Sequence, residues 1–247
     1  MSSPRHPRGS SGGRSLGLTI NWDSMEIETL REAQLFDEYL EKFQEHKNAS
    51  CVSHIKMSEV FQSLENLPNT GRLFGFMIEL MIQLALLNID LCKISDLERK
   101  AKDIEALSGL DAFCNRAELL KANSDYIFRY RAVWDKVMSI FIIVYKPDEF
   151  QEFSGSKSRK KSFMKIMKSV PQMHKNLLES INKTITEFDN QYRTKEIHGS
   201  GSTRKWSFSH TESPFSHQSN MYWAWNSLNV VVSQLGDMFR HISRQRP

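Results

Sequence analysis

The chain has 247 residues, of which 40% are hydrophobic and 25% charged, and its formal net charge is +4. This composition is typical of a globular protein with a packed core, and it excludes a disordered or a collagen-like chain. The mild positive charge does not by itself indicate nucleic acid, so the distribution of charge along the chain matters more.

Residues 1–20 are rich in Ser, Gly, Pro and Arg, a composition that predicts a flexible basic arm. They also lack the apolar run of a secretory signal. Three cysteines, Cys51, Cys92 and Cys114, show no Cys-x-x-Cys spacing. Because Cys92 and Cys114 lie among apolar residues, we expect buried free thiols and a cytoplasmic protein. The apolar segment 73–91 contains acidic and amide side chains, so we expect a core helix there and no membrane partner.

Apolar residues recur at steps of three to five along most of the chain, which predicts helices. Ser95, with Glu98 three positions later, has the pattern of a capping box and predicts the start of a separate helix. Residues 154–162 are predicted to form an exposed loop. The predicted helices cover 24–43, 56–66, 73–91, 95–107, 124–145, 171–192 and 220–244. No strand pattern of similar strength and no internal repeat is present, so the predicted fold class is all-α.

Most familiar site motifs are missing from the sequence. It contains no Walker-type phosphate loop, no dinucleotide glycine fingerprint, no Gly-x-Ser-x-Gly elbow and no His-Glu-x-x-His. Its histidines have no cysteine partners at zinc spacing, and His210 and His217 are expected to be ordinary loop residues. We therefore expect neither a cofactor nor a metal.

Arg193 and His198 stand where the apolar stripe of the helix 171–192 ends, and Gly199 follows them directly. The core does not need either side chain at that position. One interpretation is structural, because cations at a helix C-terminus interact favourably with the helix dipole. The other is chemical, and it depends on a family resemblance.

The segment QYRTKEIHGS resembles the HEPN superfamily, whose motif is an Arg, four to six residues and a His near a helix end. The segment RYRAVWDKVMSIF (129–141) is similar to the helix that packs beside this motif. The resemblance covers about 125–245. It implies an antiparallel helical bundle of HEPN type in residues 123–247, preceded by an N-terminal helical extension in residues 21–122.

The resemblance also implies a metal-independent endoribonuclease that cuts single-stranded RNA, often as a toxin or an antiviral effector. It implies a homodimer in which the two motifs face each other, with a small antitoxin or a nucleotidyltransferase as a further partner. In HEPN proteins the residue after the Arg is often Asn, Asp or His, whereas this chain has Thr194. The alternative is therefore a non-catalytic module of the same type that binds RNA or a partner protein.

The chemistry of the pair fits RNA cleavage. RNA carries its own nucleophile, the 2′-hydroxyl, and an imidazole exchanges protons near neutral pH. A guanidinium is always charged and matches phosphate oxygens. Five residues place Arg193 and His198 roughly 140° apart on an ideal helix. Either the last turn is distorted, or a second chain completes the site.

Other residues are candidates for support and for RNA binding. Asp135 is predicted to orient Arg193 or His198, and Arg129 and Arg131 to hold phosphate. Ordinary inter-helix pairing or solvation is the equal alternative for all three. The residues predicted to support the pair are Thr194, Glu196, Asp135, Arg129 and Arg131. Basic and aromatic residues of two other segments are predicted to bind RNA, by charge or by stacking on unpaired bases. They are Lys157, Arg159, Lys160, Lys161, Arg204, Lys205 and Trp206. The equal alternatives are a solvated basic loop for the first segment and packing of Trp206 over the hydrophobic core for the second.

Overall fold

The computed structural model describes residues 22–47, 56–64, 67, 70–103, 109–170, 175–197 and 214–244. These residues form helices and short connections, with no strand among them, which confirms the all-α prediction. The helices are α1 (Trp22–Lys47), α2 (Met57–Gln62), α3 (Thr70–Asp103), α4 (Leu110–Tyr145), α5 (Phe150–Gly155), α6 (Arg159–Ile166), α7 (Lys175–Phe188), α8 (Thr194–Ile197) and α9 (Pro214–Arg244). A π-helical turn, Asp189–Arg193, joins α7 to α8.

Helices α3 and α4 form an antiparallel pair at the centre of the fold. Arg129 of α4 donates a hydrogen bond to Asp90 of α3 (2.8 Å), and Asn115 donates to the carbonyl oxygen of Leu97 (3.3 Å). Residue numbers therefore rise along one helix as they fall along the other. Helix α4 crosses the predicted boundary between residues 122 and 123 without a break, so both predicted regions share its packing.

The remaining helices cover the inner side of this pair. The Tyr130 ring of α4 lies 4.1 Å, centroid to centroid, from the Phe188 ring of α7. Tyr126 donates a hydrogen bond to the carbonyl oxygen of Met221 at 2.9 Å, which fixes α9 against α4. These side chains are buried, and burying large aromatic groups is a main source of helix-packing free energy.

Helix α2 is held from two sides by polar contacts. Asp37 of α1 accepts hydrogen bonds from the amides of Met57 (2.7 Å) and Ser58 (3.0 Å), so it satisfies the free N–H groups at the start of α2. Arg240 of α9 donates to the hydroxyl of Ser63 at 2.9 Å. The N-terminal helices are thus tied to the last helix of the chain.

Several predicted boundaries are wrong. The last helix begins at Pro214 and not near residue 220, so His217 lies in a helix and not in a loop. Ser95 does not start a helix but lies inside α3, because buried Ile94 and Leu97 continue the apolar stripe through it. Helix α4 starts at Leu110 and not near residue 124, since its first turns pack against the end of α3. The predicted loop 154–162 contains the end of α5 and the start of α6.

The prediction that the thiols of Cys92 and Cys114 are both buried is wrong. Cys92 is half-buried and Cys114 is exposed, and both are free thiols. Cys114 belongs to the outward side of α4, a side that the sequence pattern did not resolve. Cys51 lies outside the described residues.

One helical stretch, Gly71–Ala101, is long and apolar enough by composition to cross a membrane, and 44% of its most apolar window is buried in the fold.

Candidate functional site

The helix that carries the predicted motif changes its winding just before Arg193. The stripe of α7 packs Ile181, Ile185 and Phe188 into the core, and the π-helical turn begins at the next residue. The Thr194 amide donates to a carbonyl five residues back instead of four. Such turns are rare and occur frequently at functional sites. Arg193 is the last residue of this turn, and its side chain is 41% exposed.

The position of the turn bears on how Arg193 and His198 relate. Helix α8, Thr194–Ile197, has ordinary α-helical winding, so the distortion lies before Arg193 and not in the four residues after it. His198 lies outside the described residues. Completion of the site by a second chain is the alternative that we carry forward.

An acid that the sequence reasoning missed contacts Arg193. The Oδ1 atom of Asp189 lies 3.8 Å from Nη1 of Arg193 and 3.5 Å from Nε of Arg131. Asp189 starts the π-helical turn and its side chain is 19% exposed. The signal was available, because an acid four residues before an arginine is a standard helical ion pair.

Asp135 contacts Arg131 and Arg159 and is connected to Arg193 only through Arg131 and Asp189. Arg131 donates to Asp135 Oδ1 at 2.5 Å, and Arg159 Nη1 lies 3.9 Å from Asp135 Oδ2. We call Arg131, Arg159, Arg193, Asp135 and Asp189 the arginine network. Three arginines share two carboxylates, which leaves a net charge of +1. Arg159 and Arg193 form its outer ends, each 41% exposed, whereas Arg131 is 11% exposed.

Arg129 belongs to the opposite side of α4. It donates to Asp90 at 2.8 Å and to Gln83 at 3.3 Å, both on α3. Residues two positions apart on a helix point in directions that differ by about 200°, so Arg129 and Arg131 cannot share a partner. Burial raises the pKa of Asp90, and the hydrogen bond from Arg129 partly offsets that rise. Arg129 therefore supports the packing of α3 on α4, and the structure does not bring it to Arg193.

Part of the predicted RNA-binding stretch lies next to the arginine network. Lys160 donates to the Thr186 hydroxyl at 2.8 Å, which fastens the start of α6 to α7. Lys157 and Lys161 are exposed. Arg204, Lys205 and Trp206 lie outside the described residues. The structure thus places the basic start of α6 beside the arginine network.

The other residues of the motif have distinct positions. Tyr192, next to Arg193, is buried, and that burial raises its pKa to about 12, so it stays neutral and moves no proton near pH 7. Thr194 is exposed at the start of α8, and Glu196 lies in the same helix. Within the described part of the chain, no three His, Cys, Asp or Glu side chains are arranged to hold a metal ion.

Comparison of the chain with protein-family models, with curated proteins and with solved structures gives no match.

Proposed function

We propose that the chain is a metal-independent endoribonuclease that cuts single-stranded RNA with Arg193 and His198. His198 acts as general acid or base, and Arg193 stabilises the charge that grows on the scissile phosphate. The observation that carries the proposal is the π-helical turn ending at Arg193, since it places a half-exposed guanidinium beside a cationic group of side chains.

The ion pairs of Arg193 support a role toward phosphate. The Arg193–Asp189 separation of 3.8 Å is long for a charge-assisted hydrogen bond, so this ion pair does not occupy the donors of the guanidinium. Asp189 also serves the more deeply buried Arg131, at 3.5 Å. A shared acid holds Arg193 near the surface without neutralising the network, and the net positive charge attracts a polyanion.

The basic start of α6 gives RNA a second contact region. Lys157 and Lys161 are exposed, and the ion pair of Arg159 with Asp135 connects that helix to Arg193 through the arginine network. Phosphates of a single strand would run from this region to Arg193. Such contacts bind RNA without reading its sequence and weaken as salt rises. In the toxin–antitoxin or antiviral systems that the resemblance implies, the same site would meet cellular or invading RNA.

The second candidate is an RNA-binding module that does not cleave. Two observations favour it, namely Thr194 in a position where HEPN proteins often carry Asn, Asp or His, and the i,i+4 pairing of Arg193 with Asp189. A structural ion pair of this kind contributes about 0.3–0.5 kcal/mol. In this case the network holds phosphate and His198 contributes only to binding or stability.

Cleavage of an unstructured RNA by the purified protein in excess chelator separates the two candidates. We expect the wild-type protein to cut and the His198→Ala variant to lose about 10²–10⁴-fold in rate, the usual contribution of a general acid or base. Lys195→Ala is the control, because Lys195 is exposed on α8 two residues from Arg193. Equal rates for wild type and His198→Ala would exclude the proposed role, and binding without cleavage would select the second candidate.

A further inference from the structure

Phe128 is an aromatic residue of α4 that lies outside the core formed by the described residues. Its side chain is 49% exposed, whereas Tyr126 and Tyr130, two positions to either side, are fully buried. Seven residues separate Phe128 from Asp135, so the two lie about 20° apart around an ideal helix and share one stripe. The exposed ring therefore lies on the side of α4 that carries the arginine network.

The π-helical turn runs antiparallel to α4. The ring of Phe188, just before the turn, lies 4.1 Å from the ring of Tyr130. Near the other end of the turn, Tyr192 is a neighbour of Tyr126. Burial is the main cause of the raised pKa of Tyr126, and the Tyr192 side chain adds a smaller electrostatic contribution. The two tyrosines also form hydrogen bonds with consecutive residues of α9. Residue numbers thus rise along the turn as they fall along α4.

This register brings the side chain of Arg193 beside Phe128. Arg193 is the last residue of the turn, so its backbone lies near the level of Tyr126 on α4. Its guanidinium reaches back to Asp189, which contacts Arg131 and so marks the level of that residue on α4. Phe128 lies between these two levels and on the same side of α4 as Arg131. The guanidinium and the exposed ring therefore border the same part of the surface.

A cation and an exposed ring side by side match the chemistry of an unpaired nucleotide. The guanidinium binds the phosphate, and the ring offers a flat surface on which the base can stack, as aromatic side chains do in proteins that bind single strands. In a duplex the bases already stack on their neighbours, so the ring gains no such contact. The surplus positive charge of the arginine network favours a polyanion over a neutral apolar partner.

We infer that Phe128 binds an unpaired base of the RNA, next to the phosphate that Arg193 contacts. The inference rests on the proposed function, because it takes single-stranded RNA as the ligand of the arginine network. Phe128 exchanges no proton, so its role is in specificity. It favours single strands over duplexes and tolerates any sequence, since every base has a π-face.

The binding of two end-labelled strands of equal length, measured by fluorescence anisotropy, tests the inference. One strand is a 2′-O-methyl RNA, which cannot be cut through its 2′-hydroxyl. The other has the same phosphates but an abasic spacer in place of every base. We expect Phe128→Ala to weaken binding of the RNA roughly 10-fold, because the variant loses one stacking contact. Phe128→Ala and the wild-type protein should bind the abasic strand equally, because that strand has no base to stack.

Further variants separate stacking from other roles of the ring. Phe128→Trp keeps a π-face and should bind the RNA at least as tightly as the wild-type protein, whereas Phe128→Leu keeps only apolar volume and should behave like Phe128→Ala. Phe113→Ala is the matched control, since Phe113 is 62% exposed on α4, about 22 Å away along the helix axis, and its loss should change neither affinity. Lys157→Ala with Lys161→Ala should weaken both strands alike. Unchanged helical circular dichroism checks that each variant folds.

Two results would overturn the stacking and leave the proposed function standing. They are wild-type affinity for the RNA in Phe128→Ala or Phe128→Leu, and an equal loss of affinity for both strands in Phe128→Ala. A wild-type protein that binds neither strand would overturn both proposals. Binding of the RNA that depends on the Phe128 ring, without cleavage of an unmodified copy in excess chelator, would support the stacking and contradict only the ribonuclease activity.

Discussion

The two sides of α4 carry ion pairs of different design. Toward α3, each base has one acid: Arg129 meets Asp90, and Lys136 meets Glu79. Toward the π-helical turn, three arginines share two carboxylates, with Arg131 between them. One-to-one pairing leaves no net charge in the contact between α3 and α4. Shared acids leave surplus positive charge near the surface, which suits a phosphate group.

The largest difference is expected in the stability contributed by Arg131 and Arg129. Arg131→Met retains an apolar stem but removes the cation between Asp135 and Asp189, and we expect a loss of about 2–3 kcal/mol in unfolding free energy. Arg129 is more exposed than Arg131, and Arg129→Met removes a single cation from beside Asp90. We expect this variant to lose about 1 kcal/mol in unfolding free energy. Urea unfolding followed by circular dichroism measures both. Equal losses would mean that the arginine network is no more strongly coupled than the single ion pair of Arg129 with Asp90.

A smaller effect is expected from the exposed lysines beside the network. Lys157→Ala with Lys161→Ala removes two charges that face solvent, so the slope of log binding constant against log salt should fall by about 1–2 in magnitude. Binding of a fluorescent single-stranded RNA at several salt concentrations measures it. Lys121→Ala with Lys93→Ala is the control and should leave the slope unchanged, because each of these lysines is already paired with one acid, Asp125 and Glu118 respectively. If the slope changed only in the control variant, the proposed RNA-binding region beside the arginine network would be wrong.

Asp90 gives the smallest expected effect, and its sign is defined. Because burial raises the pKa of Asp90 in the folded protein, the folded protein binds the proton more tightly than the unfolded chain does. The contribution of Asp90 is therefore full below the ordinary pKa of an aspartate and is lost as pH rises through the folded value. Relative to Asp90→Asn, wild-type stability should fall between pH 3 and pH 7 by no more than about 1 kcal/mol. A rise in stability over that range would contradict this prediction. Asp125→Asn is the control, because Asp125 belongs to an exposed ion pair with Lys121.

The sequence predicts the helices from their apolar periodicity, and it fails where a polar residue lies inside a long helix. Ser95 and Glu98 have the spacing of a cap, but the buried residues on both sides of Ser95 keep α3 continuous. Local patterns cannot decide this, because the packing of α3 along α4 determines where the helix ends. The antiparallel register of the two helices likewise depends on contacts that are distant in sequence.

The candidate site was predictable in part. Arg193 and Thr194 come from the motif, and the i,i+4 spacing would have added Asp189. The winding of the π-helical turn and the approach of Arg159 to Asp135 are set by tertiary packing, which the sequence pattern does not encode. Asp135 was predicted as a direct partner of the motif because it interrupts an apolar helix, and that signal marks burial without naming the partner.

The most direct test of the central claim is to identify the ends of the RNA fragments made in excess chelator. If Arg193 and His198 activate the 2′-hydroxyl, the wild-type protein makes fragments that end in a 2′,3′-cyclic phosphate, and a 2′-O-methyl copy of the same RNA stays intact. Arg193→Ala and His198→Ala should each make fewer of these fragments by about 10²-fold or more. Cleavage of the 2′-O-methyl copy, or undiminished cleavage by either variant, would contradict the account.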